Sequence, residues 1–169
     1  MSKKILRTIL FTLVLAAALS LAYLTIEKIS AKKTKAHNVS VLPEANFLNS
    51  DSTTFKISTD SNVVLIFFNP ECEHCQYEAR GIKESVNDFK NIELIFISSE
   101  SIAAIQRFAS QYNLENYPFI HFAKINREEV FDTFGTLSVP HIFIYGKDHK
   151  LIKEFKGETK VEAILKYIP

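Results

Sequence analysis

The sequence predicts an α/β sandwich, a central mixed sheet flanked by helices, preceded by one apolar helix. Three observations carry that reading. Residues 9–26 form an apolar run without a charge. Further on, short β-branched and aromatic runs alternate with stretches whose apolar residues recur at helical spacing, as strands and their covering helices do. Towards the C-terminus, two apolar runs flank Gly146-Lys147-Asp148-His149. That pattern predicts an antiparallel hairpin with a loop of about four residues.

Composition sets the outer bounds. The 169 residues give room for one domain of ordinary size. Hydrophobic residues at 47% and charged residues at 23% describe a globular chain. A formal net charge of +1 makes a dedicated nucleic-acid binder a poor fit. Two cysteines exclude a disulfide-dense scaffold and a four-cysteine zinc site within the chain. The charge balance hides two unlike parts: residues 1–37 carry +6 and residues 38–169 carry −5.

The elements come in order along the chain. Residues 1–8 are a basic N-terminus, with Lys3, Lys4 and Arg7 resembling the start of a signal segment. Residues 9–26 reach about 27 Å as a helix, close to the thickness of a bilayer's hydrocarbon core. That length favours an uncleaved transmembrane anchor over a cleaved signal peptide. Basic residues flank both ends of the run, so charge alone leaves the orientation open, but an N-terminal basic start usually stays inside, which would export the remainder. Residues 27–37 are polar and Lys-rich and read as a linker. The soluble domain then spans 38–169.

Residues 63–68 are a continuous β-branched and aromatic run, suited to a strand buried on both faces. The next helix is expected over 72–89, with Cys75, Ala79, Ile82, Val86 and Phe89 on one face and Gly81 permitting close packing. Residues 92–97 are a second buried strand, 101–112 a helix, 119–122 a short strand and 128–134 a helical turn ending at Gly135. Residues 142–145 and 151–155 are the hairpin strands. Thr159-Lys160-Val161-Glu162 reads as a capping box opening a last helix.

The chemistry lies at the two cysteines, Cys72 and Cys75. They come after a buried strand and open a helix. A thiol at a helix N-terminus meets unpaired backbone N–H groups and the positive end of the dipole, which favour its thiolate. The second thiol sits one turn in, close enough to attack a mixed disulfide formed on the first. Cys72 is thus the candidate nucleophile and Cys75 the resolving thiol.

A strand, a Cys-x-x-Cys pair, a helix, and Val139-Pro140 entering a later strand together resemble the thioredoxin superfamily. The resemblance covers about residues 40–169 and implies that fold, with Pro140 in cis beside the cysteine pair and the Val139 backbone pairing with a client. The extra helix and strand expected over 99–123, the Cys72-Glu73-His74-Cys75-Gln76-Tyr77-Glu78 run and the N-terminal anchor resemble its TlpA-like, ResA-like membrane-anchored thiol-disulfide oxidoreductases. That branch implies proton handling by Glu78, no organic cofactor, protein clients with a redox donor or acceptor, and a periplasmic or other extracytoplasmic location. Departures are informative. Ile66 stands where thioredoxin has a buried acid, Glu71 where an aromatic residue is usual, and His74 where proline is usual. An imidazole near Cys72 would stabilise its thiolate and raise the potential, so both directions of electron flow stay open.

The same residues admit other readings. Cys72, Cys75, His74 and His141 could form a copper or zinc site, as in a metal chaperone of this fold, with Cys72, Cys75 and His141 as its main ligands. His121 alternates with apolar neighbours and is expected to face solvent. A peroxidase of the peroxiredoxin type needs threonine where this chain has Asn69.

Overall fold

A computed structural model describes residues 3–43, 47–49, 57 and 60–168. The chain divides into two compact units, Met1–His37 and Asn38–Pro169. The first is helical: α1 runs over Lys3–Asn38, so the segment read as a linker is helical as well. Within α1, Ile9–Lys28 has a mean hydropathy of 2.4 and is long and apolar enough to cross a membrane. Leu10, Phe11, Leu13, Val14, Leu19 and Leu24 are exposed. The Thr12 and Thr25 hydroxyls donate to the carbonyls of Ile9 and Ala22, which satisfies these polar groups within the helix.

The second unit holds one sheet of six strands in the order β1-β4-β3-β2-β5-β6. The strands are β1 (Leu48–Asn49), β2 (Asn62–Phe67), β3 (Ile92–Ser98), β4 (Ile120–Lys124), β5 (His141–Tyr145) and β6 (Leu151–Lys156). The helices of this unit are α2 (Glu73–Glu84), α3 (Ile102–Gln111), α4 (Arg127–Phe134) and α5 (Val161–Leu165). β2, β3 and β4 are parallel, while β5 runs antiparallel to both β2 and β6. The expected hairpin, helix–strand insertion and mixed sheet are all present. β1 is an addition: two residues antiparallel to Lys124 and Ala123, too short to leave a pattern.

Strand alternation assigns side chains to two cores. Val64, Ile66, Phe68, Ile142 and Ile144 face one side, with Cys75, Ala79 and Ile82 of α2, Ile105 and Phe108 of α3, and Val161 and Ile164 of α5. Val63, Leu65, Phe67, Phe143 and Tyr145 face the other, with Val130 and Phe134 of α4. All six residues of β2 are buried, as an uninterrupted apolar run requires. Gly81 allows α2 to approach α5 closely, since a Cβ there would lie 3.3 Å from Cγ2 of Val161. Gly135 closes α4 in the left-handed conformation, φ 61°.

Three local expectations are corrected. The helix after the cysteines ends at Glu84, and Val86–Phe89 form a separate 3-10 turn. Ser85, Asn87 and Asp88 favour turns over helix interior, yet Val86 and Phe89 still reach the core. The capping box does not form. Lys160 is the N-cap of α5, and the Thr159 hydroxyl donates to the carbonyl of Gly157. His121 is half-buried rather than solvent-facing, and that desolvation lowers its pKa.

Phe68 ends the β2 run directly before the site. It lies 4.6 Å from the ring centroid of Phe108 and 5.7 Å from that of Phe96. Phe68→Ala is expected to cost about 3–5 kcal/mol, read as a lower denaturation midpoint at unchanged slope.

Candidate active site

Three pieces of chain meet at the C-terminal end of β2. The first is the turn from Phe68 to Cys72. Asn69 organises it: its carbonyl accepts from the Cys72 N–H at 3.1 Å and its Oδ1 accepts from the Glu71 N–H at 2.8 Å. Its Nδ2 donates to Glu100 Oε1 at 3.0 Å, fixing the turn to the segment after β3. Gln76 ties the turn to α2 by donating to the Pro70 carbonyl at 3.0 Å.

Cys72 is the N-cap of α2, in extended conformation, and its side chain makes no capping bond. Its thiol is part-exposed and lies 3.9 Å from the Val139 carbonyl. Cys75 is buried at 1% exposure. Both cysteines are free thiols in this structure. Burial pushes the Cys75 thiol well above its ordinary pKa, and the neighbouring Cys72 and Glu78 add to that rise against a lowering contact with the Asn69 backbone. The two thiols therefore stand in unlike surroundings, as an attacking and a resolving group require.

The second piece is the loop before β5. Val139-Pro140 is a cis peptide bond. The register pairs His141 with Phe67, which brings Pro140 beside the exit of β2 and explains why Val139 faces Cys72. Thr136 and Ser138 brace the loop: their hydroxyls are 2.8 Å apart and the Ser138 N–H donates to Thr136 Oγ1.

The third piece is Gly157-Glu158-Thr159, between β6 and α5. Glu78, one turn beyond Cys75, is 2% exposed, so it is no ordinary surface residue. Its Oε2 accepts from the Thr159 N–H at 2.9 Å, while its Oε1 is buried without a hydrogen-bond partner among the described residues. Burial raises its pKa from 4.5 to about 7, against the lowering effect of the Thr159 bond and with help from the charge of Glu158. His74 is exposed, and its Nδ1 lies 2.7 Å from Glu158 Oε2. A carboxylate only accepts, so Nδ1 carries the hydrogen.

Cys72, Cys75, Glu78, His74, Val139 and Pro140 are thus brought together. His141 is not. It shares a strand face with Phe143, stacked on it at 4.5 Å, on the side of the sheet away from α2. Its Nε2 is engaged with Glu154 at 2.6 Å. Among the described residues, no three His, Cys, Asp or Glu side chains cluster as metal ligands would. Sequence reasoning missed Glu158 and Thr159, which lie 81 or more positions from their partners, and the bracing role of Asn69.

A model of the AhpC/TSA family matches residues 33–154. The chain belongs to the AhpC/TSA family. It is 29% identical over 143 residues to thiol-disulfide oxidoreductase ResA of Bacillus thuringiensis subsp. konkukian, covering 80% of each chain. Its fold is that of the thioredoxin domain of a thiol-disulfide oxidoreductase from Bacteroides vulgatus, with a TM-score of 0.64, 14% identity and coverage of 78% of this chain and 97% of that one. StoA from Bacillus subtilis aligns with a TM-score of 0.60, 12% identity and coverage of 76% and 98%. The fold is the thioredoxin fold with its helix–strand insertion. The chain is an enzyme of the thiol-disulfide oxidoreductase type.

The raised pKa of Glu78 has a thermodynamic signature. Between 4.5 and about 7 the folded chain holds a proton that the unfolded chain has lost. Stability from this group is complete below that window and declines as pH rises through it. Glu78→Gln should flatten the decline. The variant should match the parent near pH 4 and exceed it at pH 8 by up to about 3 kcal/mol, as measured by denaturation at the two pH values. Parallel profiles would show that Glu78 titrates normally.

Proposed function

We propose that the chain is a membrane-anchored protein-disulfide reductase whose domain acts outside the cytoplasm. The observation that carries this reading is the ordered pair of thiols: a part-exposed Cys72 at a helix start, and a buried Cys75 backed by a buried acid. The Cys72 thiolate attacks one sulfur of a client disulfide. A mixed disulfide forms and the other client sulfur leaves as a thiolate, which takes up a proton. Cys75 then loses its proton to Glu78 and attacks Cys72 Sγ, releasing the second client sulfur. The client gains two electrons and the enzyme keeps a Cys72–Cys75 disulfide. A dithiol donor protein restores the pair by the reverse exchange.

In this reading cysteine sulfur is the only redox centre, and no organic cofactor takes part. Val139 presents its carbonyl beside Cys72, where an extended client segment would pair, and cis-Pro140 shapes the groove. His74 tunes Cys72. Residues 1–8 would stay on the cytoplasmic side and the apolar stretch of α1 would span the bilayer. The partners are then protein clients, a thiol donor and the membrane, with no role for nucleic acid. The copper or zinc alternative gains nothing from the placement of His141 behind the sheet.

Cys75→Ser should accumulate mixed disulfides through Cys72, seen as reductant-sensitive adducts on gels. Cys72→Ser should lose reduction of a model disulfide such as insulin completely. Retained activity in Cys72→Ser would sink the assignment. Tight Cu(I) binding without any trapped client would favour the metal reading instead.

A further inference from the structure

The loop Gly157-Glu158-Thr159 bonds to the cis proline and to two residues of α2 at the site. The Gly157 N–H donates to the Pro140 carbonyl at 2.8 Å. Glu158 takes His74. The Thr159 N–H takes Glu78, and the Thr159 hydroxyl turns back on the Gly157 carbonyl at 3.0 Å. Gly157 has φ 86°, a conformation that a side chain would strain. Backbone shape and three separate bonds therefore fix where the Glu158 side chain begins.

A positive charge in the first turn of α2 favours the Cys72 thiolate. It thereby stabilises the dithiol and raises the potential of the pair. His74 is placed to carry such a charge, but its Nδ1 is bonded to a carboxylate. A negative partner at hydrogen-bond distance offsets part of what the imidazole would present to Cys72. It also fixes the ring through the nitrogen it binds. Glu71 and Glu73, both exposed beside Cys72 in sequence, add to the negative side. The charge of Glu158 also contributes to keeping Glu78 protonated, which places it electrostatically within the site.

We propose that Glu158 is a positioning residue that holds His74 by Nδ1, withholds part of the imidazole charge from Cys72, and sets the potential of the Cys72–Cys75 pair lower than His74 alone would. The inference rests on the oxidoreductase reading and deepens it, since it assigns the direction that His74 leaves open. The exchange itself is unchanged: two electrons and two protons still pass from the dithiol to the client disulfide. Only the midpoint moves.

The test is a double-mutant cycle on the full chain: parent, Glu158→Gln, His74→Ala and the double variant. Each is equilibrated with glutathione redox buffers at low salt, and the dithiol fraction is read after thiol alkylation. The His74 and Glu158 side chains are 68% and 40% exposed, so their coupling is modest. Glu158→Gln should shift the equilibrium roughly two- to fivefold towards the dithiol, about 10–20 mV. The shift should shrink in 1 M salt and fall to a smaller residue in the His74→Ala background, where only the direct effect of the Glu158 charge on Glu78 remains. The Thr159 bond to Glu78 is made by backbone, so the substitution leaves that donor in place. No shift in Glu158→Gln, or a shift of equal size without His74, overturns the inference. A parent that forms no reversible Cys72–Cys75 disulfide overturns the oxidoreductase reading, and this inference with it. A parent that cycles normally while the variants show no coupling overturns this inference alone.

Discussion

A carboxyl group buried one helical turn behind a thiol is the constraint on which this site depends. Glu78 stands at 2% exposure with one oxygen bonded to the Thr159 amide and the other without a partner among the described residues. A carboxylate left so would be costly, and the group answers by holding its proton up to about pH 7. That arrangement needs α2 and the start of α5 in close approach. Gly81 provides it, since a side chain there would press on Val161. The Thr159 amide must then point at Glu78 rather than serve a capping box, so α5 begins at Val161 without a side-chain cap. Local helix-capping chemistry has yielded to the needs of the buried acid.

The sheet decides which residues can belong to the site. In β5, alternate side chains face opposite cores, and one position separates a site residue from a structural one. Pro140 ends the loop beside Cys72, whereas His141, the next residue, turns behind the sheet to stack on Phe143 and bond Glu154. A histidine adjacent in sequence to the cis proline looks like a ligand for the cysteines only until the register is known. Parallel β2, β3 and β4 bring the ends that carry Asn69 and Glu100 to the same edge. The bond between these two residues holds the turn that delivers Cys72.

Periodicity and residues close along the chain made part of this structure legible in the sequence. The fully buried β2, the amphipathic face of α2, the hairpin and the placement of Cys72 and Cys75 at a helix start all rest on patterns within about a dozen residues. The family resemblance added cis-Pro140 and the interest of Glu78. Long-range side-chain pairings were hidden. Glu158 meets His74 across 84 positions and Thr159 meets Glu78 across 81, and nothing in Gly157-Glu158-Thr159 marks it as more than a turn before a helix. The same loop misleads a capping-box reading, because Thr159 and Glu162 match that motif when the competing partner is unseen. β1, at two residues, has no period to detect.

The two thiols and the acid form a coupled set rather than three independent groups. Cys75 and Glu78 share a buried region where two negative charges are disfavoured, and the Glu78 charge is itself among the causes that raise the Cys75 pKa. In the proposed exchange, Cys75 becomes a nucleophile by passing its proton to Glu78. A base with a pKa near 7 suits that task at neutral pH: it is partly ionised, yet basic enough to accept. Cys72 differs in its surroundings, standing part-exposed at the opening of α2 beside the Val139 carbonyl. The order of attack is thus written into burial. In that exchange the exposed thiol would meet the client first, and the buried one would act once a mixed disulfide has brought its target within reach and Glu78 is free to take the proton.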